Sequence, residues 1–110
     1  MTRATIEKVA MGLPAVTKVV QWGGVDVFKV AGKVFAISGD EGVSFKVSEI
    51  GFMALTEGGP GRQAPYCAKG QWVNVDHADL SETDAADWLA NAHRLIAAKL
   101  TKKARAEAGL

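Results

Sequence analysis

One thiol, Cys67, and two imidazoles, His77 and His93, are the side chains here best suited to act as nucleophile, base or metal ligand. Cys67 precedes His77 across an expected strand, a separation that does not by itself bring a thiolate to a base. A lone cysteine serves equally well as a small apolar filler beside a sheet. His93 falls at the boundary of an expected helix's apolar stripe rather than among ligands. Asp76, His77 and Asp79 form a compact carboxylate and imidazole group of the kind that holds a divalent ion weakly. The same segment also reads as a strand end leading into a helix, where Asp is favoured without any metal. No HExxH pair, EF-hand loop or dinucleotide fingerprint is present. Gly58-Gly59-Pro60-Gly61 lacks the lysine, serine and following helix of a phosphate-cradling loop. The expectation is no catalytic residue, no metal and no cofactor.

Cations and flat rings offer a different chemistry. Lys29 and Lys46 are expected on the wetter face of a sheet, with Lys18 directly opposite Lys29 and Lys33 at a hairpin tip. A following loop adds Arg62 and Lys69 beside Tyr66 and Trp72, a mixture able to meet phosphates and bases. Like charges facing each other across strands repel, and a bound anion would offset that repulsion. The plainer reading is that exposed lysines protect sheet edges and keep a face soluble. From Asp76 to Asp87 there are five acidic residues and no basic one, so the acidic charge lies apart from most of the cations. Trp88 belongs to a helix core, while Trp22 and Trp72 suit either rim packing or ligand stacking.

The elements that must position these groups follow from periodicity. Residues 3 to 13 read as a helix, with Thr2 as N-cap, Ile6, Val9, Ala10 and Leu13 on one face, and Pro14 as its stop. From Val16 to Ser48 the period changes to two. Val16 to Trp22 is a strand turned by Gly23-Gly24. Val27 to Ile37 is a hairpin whose two-residue turn is placed at Gly32-Lys33, setting Phe28 opposite Ile37 and Val30 opposite Phe35. The alternative turn, Ala31-Gly32, would put Lys33 among those apolar side chains. Val43, Phe45 and Val47 mark the next strand of an antiparallel meander. Ser48 then caps a short helix from Glu49 to Thr56, with Gly58 as its C′ residue. Residues 57 to 65 are expected to be the least regular part of the chain, and Gln71 to Val75 forms a fifth strand. Ser81 caps a long C-terminal helix whose apolar stripe is Ala85, Trp88, Leu89, Ala92, Leu95 and Ile96, with Lys99, Lys102, Lys103 and Arg105 towards the tail. The fold class is α+β: an antiparallel sheet of about five strands, with an N-terminal, a middle and a long C-terminal helix on one face.

With 110 residues, 48% of them hydrophobic and 23% charged, the chain has the composition of one ordinary soluble domain spanning residues 1–110. Thirteen Lys and Arg balance twelve Asp and Glu, so nothing pulls the whole molecule towards nucleic acid or an anionic membrane. One cysteine excludes an intramolecular disulfide. Arg3, Glu7 and Lys8 interrupt any leader-like apolar run, and no stretch approaches the length of a membrane span. A cytoplasmic monomer without membrane contact is expected.

Trp22-Gly23, the run from Val27 to Ala36, Phe45-Lys46-Val47, Ala64-Pro65-Tyr66, Gly70-Gln71-Trp72-Val73 and His93-Arg94-Leu95-Ile96 together resemble the small bacterial MmcQ/YjbR-like proteins. The ordered set begins at Leu13-Pro14 and ends at Leu100-Thr101-Lys102-Lys103. The resemblance implies a CyaY-like α+β domain of the double-wing DNA-binding type, in which a concave sheet with projecting strands meets the duplex, and it implies no catalytic residue. The reading is therefore a non-enzymatic module for double-stranded DNA. Its contacts would be Lys29, Lys33, Lys46, Arg62 and Lys69 to phosphates, with Tyr66 and Trp72 as ring contacts. A protein- or small-anion-binding domain using the same face is the alternative, and an enzyme acting through Cys67 and His77 comes third.

Overall fold

The structure, a computed structural model, describes residues 1–110. In chain order the elements are α1 (Arg3–Met11), β1 (Val16–Gln21), β2 (Val25–Val30), β3 (Lys33–Ser38), β4 (Gly42–Lys46), α2 (Glu49–Thr56), β5 (Gly61–Gln63), β6 (Trp72–Asp76), a 3-10 turn (His77–Asp79), α3 (Glu82–Ala97) and α4 (Lys102–Glu107). Each α-helix starts where a hydroxyl satisfies a free amide of the first turn. Thr2, Ser48, Ser81 and Thr101 accept from the backbone N–H groups of Thr5, Gly51, Asp84 and Ala104. No helix is long and apolar enough to cross a membrane.

The strands form one antiparallel sheet in the order β1-β2-β3-β4-β6-β5. Ile6 and Ala10 of α1, Leu55 of α2, and Ala85, Leu89 and Ala92 of α3 pack with Phe28, Val30, Phe35, Val43, Phe45, Val73 and Val75 into one buried cluster. Trp88 stacks on Phe45 at 5.9 Å between ring centroids. Gly51 lets α2 approach that ring, since a Cβ there would stand 3.1 Å from Trp88.

Four local expectations change. The hairpin turns at Ala31-Gly32, not Gly32-Lys33: φ is 48° at Ala31 and 83° at Gly32, and Val30 pairs with Lys33. Positive φ at both central residues is the type I′ geometry that matches strand twist. Lys33 stays exposed at the sheet's end, so the feared burial of its ammonium does not arise. A β-bulge then shifts the register, so that Lys29 pairs with Val34 but Phe28 pairs with Ala36. The bulge keeps Phe35 in the core and moves Ile37 to the other face beside Val27.

The turn between β1 and β2 holds three residues, Trp22, Gly23 and Gly24, which sets Lys18 opposite Phe28 rather than Lys29. Lys18 thus lies on the helix side, where its ammonium meets Glu7 at 2.7 Å. The segment expected to be irregular contains β5, which pairs along β6 and brings the sheet to six strands rather than about five. The C-terminal helix is also not continuous: α3 ends at Ala97, and Thr101 starts a separate helix.

Because Ala31 is a non-glycine residue in the left-handed region, replacing it with Gly relieves about 1–2 kcal/mol of backbone strain against a smaller entropy loss. Ala31→Gly is expected to raise stability by about 0.5–1 kcal/mol in urea denaturation. A loss of stability would show that the turn geometry is not the one described.

Candidate functional site

With every core helix on one side, the opposite face of the sheet has no covering layer. Register assigns it Val25, Val27 and Lys29 from β2, Val34 and Ile37 from β3, Ser44 and Lys46 from β4, and Trp72, Asn74 and Asp76 from β6. Part of this face forms an open trough of about 1130 Å³. The Trp22 turn forms one wall and the Pro65-Tyr66-Cys67 loop the other, while the turn between β3 and β4 closes one end with Asp40 and Glu41.

The walls are held in strained backbone. Trp22 has φ 47° and Tyr66 φ 62°, in a region that bulky side chains rarely occupy. Trp22 is 66% exposed and Tyr66 fully so. Arg3 fixes the wall and the end of the trough together. Its guanidinium donates to the buried Asp26 at 2.9 and 3.0 Å, to Asp40 at 3.0 Å and to the carbonyl of Gly24. Those hydrogen bonds hold the Asp26 carboxyl below the usual carboxylate range, against the opposing effect of burial.

The expected binding residues divide. Arg62, Tyr66 and Trp72 do line the trough. Lys29, Lys33, Lys46 and Lys69 do not. Lys33 is exposed at the hairpin tip, Lys69 is exposed in the loop, and Lys29 is half-buried beyond Val34. Lys46 is only 7% exposed, and its Nζ donates to Gln71 Oε1 at 3.0 Å, so it is not a free surface cation. Burial, and then repulsion from Lys99, pushes its pKa below the ordinary lysine value. Arg62 is drawn to Asp76 at 2.6 Å. The trough itself presents Asp40, Glu41 and Asp76 against the one guanidinium of Arg62.

Sequence reasoning passed over Val34, Ile37, Ser44, Asn74, Asp40 and Glu41 as lining residues. In sequence Ile37 reads as a core residue, because the bulge leaves no local signature. The alternation of Ser44 with Phe45, and of Asn74 with Val73 and Val75, was the available signal for the rest.

The residues weighed for catalysis are dispersed. Cys67 is half-buried on the trough wall, and burial raises its thiol pKa, the reverse of what a nucleophile needs. His77 Nε2 lies 2.8 Å from the Gly39 carbonyl and His93 Nε2 2.7 Å from the Pro14 carbonyl, so each ring donates to backbone. His93 also meets Phe35 edge-on at 5.5 Å. No three His, Cys, Asp or Glu side chains converge as metal ligands. Asp76 instead pairs with Arg62.

Lys46 supplies a test. An ammonium whose folded pKa is depressed weakens the native state at neutral pH, and stability climbs as pH rises from that folded value to the ordinary ~10.4. Lys46→Met is expected to match or exceed the parent in urea midpoint at pH 7 and to lack the parent's rise towards pH ~10. A clear loss of stability at pH 7 would mean that the Gln71 hydrogen bond outweighs desolvation.

Comparison with known proteins places the fold among solved structures. A crystal structure of a Deinococcus radiodurans protein with a DUF419 domain superposes with a TM-score of 0.87 at 22% identity, covering 99% of this chain and 88% of that one. A Pseudomonas syringae protein superposes with a TM-score of 0.73 at 16% identity, covering 86% of this chain and 98% of that one. At these identities the likeness concerns the fold alone. A search among curated proteins finds no match. The family model described as YjbR matches residues 11–95, from the end of α1 to the last turn of α3, and with that span the chain belongs to the YjbR family.

Proposed function

We propose that this chain is a non-enzymatic binding module whose ligand occupies the concave outer face of the sheet. The observation that carries this reading is the pair of aromatic walls. Trp22 and Tyr66 stand on opposite sides of the trough, exposed to solvent, each on left-handed backbone. Such backbone costs about 1–2 kcal/mol per residue, and strain of that kind clusters at binding sites. Between the walls, Val25, Val34 and Ile37 offer an apolar floor, and Trp72 a third ring.

Double-stranded DNA is the second reading. It is favoured by Lys29, Lys33 and Lys69, none of which has a carboxylate partner within ion-pair distance, and by the two walls that rise from the sheet as a double wing would. Arg62 and Lys46 contribute less to it, because Asp76 and Gln71 already hold them.

Amide shift mapping separates these readings. A pool of unstructured peptides and a short mixed-sequence duplex would each be titrated into the protein. The face reading expects shifts concentrated at Trp22, Ile37, Ser44, Tyr66, Trp72 and Asn74, and a Trp22→Ala, Tyr66→Ala double variant that folds normally but binds at least about tenfold more weakly. Shifts gathered on α2 and α3 would overturn it. If DNA is the ligand, three lysine–phosphate contacts give a salt slope near −2.7, an affinity loss of about 40-fold between ~50 and ~200 mM salt. A flat response removes the DNA reading.

A further inference from the structure

We infer that the occupant of this face is an extended, basic segment of another protein, an inference that rests on the concave face being the binding surface. Size comes first. The trough crosses β2, β3, β4 and β6, three interstrand steps or about 14 Å. Its volume of about 1130 Å³ exceeds the ~300–1,000 Å³ of ordinary small-molecule pockets. An extended chain advances about 3.3 Å per residue, so roughly four residues would cross the floor.

The floor's chemistry suits a peptide. Asn74 donates to the Ser44 hydroxyl at 2.9 Å and leaves its own carbonyl oxygen without a protein partner. The Ser44 hydroxyl in turn keeps its proton for donation. One free acceptor and one free donor, set among Val34, Ile37 and Trp72, match the paired C=O and N–H groups of a peptide backbone lying between apolar side chains.

Charge then selects the sequence of that segment. At the Gly39–Gly42 end, Arg3 is shared between Asp26 and Asp40, and Arg62 is matched one to one with Asp76. Glu41, exposed on the lining, has no ion-pair partner. Of the three lining carboxylates, Asp40 shares Arg3 with the buried Asp26, Asp76 is matched by Arg62, and Glu41 stands alone. This end therefore carries an excess of negative charge. A Lys or Arg side chain placed there meets carboxylates, and its stem and charge also suit the face of Trp22 at the same end of the sheet. The phosphates of a nucleic acid would meet the same carboxylates as repulsion, and no lysine lines the trough to offset it.

Three blocked peptides of equal length and equal Leu and Phe content, with Arg, Gln or Glu at every polar position, test the inference by calorimetry and tryptophan fluorescence. The Arg peptide is expected to bind about tenfold more tightly than the Gln peptide, with the Glu peptide weakest. Glu41→Gln should shrink the Arg-to-Gln ratio to about threefold. The Trp22→Ala, Tyr66→Ala double variant should weaken all three peptides together. Equal binding of the Arg and Gln peptides overturns the inference, as does preference for the Glu peptide or binding of a mixed-sequence duplex but of no peptide. If charge makes no difference yet loss of the aromatic pair still weakens binding, the inference falls and the concave-face reading stands. If loss of the aromatic pair leaves every affinity unchanged, that reading falls with it.

Discussion

The extra residue in β3 decides which side chains the rest of the molecule can use. With the turn at Ala31-Gly32 and no bulge, Ile37 would pair with Asp26 on the helix side, and Ala36 would turn outward. The bulge after Lys29 and Val34 reverses both. Ala36 then sits in a row running Phe28, Ala36, Phe45, Val73 across four strands, a small residue between two phenyl rings. That spacing leaves room for Trp88 to stack on Phe45 and for α3 to settle over the row. On the other face the same shift delivers Ile37 beside Val34 to the floor of the trough. One backbone irregularity therefore completes the core and makes the opposite surface apolar.

That apolar surface has no covering layer because the helices are already spent on the core. α1, α2 and α3 all contribute to the single buried cluster, and α4, with six residues and none buried, is too small to form a second layer. In most sheets of this kind the uncovered face alternates to polar residues. Here Ser44, Asn74 and Asp76 follow that pattern on β4 and β6, while Val25, Val34 and Ile37 depart from it on β2 and β3. The face is thus half apolar and half polar, a division that suits partial burial of a ligand better than permanent exposure to water.

What was legible in the sequence was whatever local chemistry decides. Thr2, Ser48 and Ser81 were readable as caps because a hydroxyl meets an amide three residues on, whatever the rest of the chain does. α2 was readable to the residue because Ser48 and Gly58 bracket it. Thr101 has the same chemistry as the other caps, but the cationic run around it reads as a continuation of α3. Register was not legible. Placing Lys18 opposite Lys29 depended on counting a turn as two residues when it holds three, and one residue of slip sends a side chain to the other face. For the same reason the lysines could not be gathered by sequence reasoning, whereas Arg62, Tyr66 and Trp72, which come from β5, β6 and the loop between them, did meet in the trough. β5 escaped notice because three residues, Gly61-Arg62-Gln63, carry no period.

Arg3 connects the two faces. It starts in α1, among the helices, yet its guanidinium reaches the Gly24 carbonyl beneath the Trp22 wall and the Asp40 carboxylate at the trough's end. The buried Asp26 is what keeps it there, since a carboxylate 4% exposed needs its cation. Asp26 has its pKa lowered in the folded chain, so the stabilisation it provides is complete above the ordinary carboxylate pKa near 3.9 and fades as pH falls through the lower folded value. At neutral pH the clamp is therefore at full strength. The placement of an exposed tryptophan on strained backbone does not rest on the turn alone, because an ion pair anchored in the protein's interior holds the carbonyl two residues away.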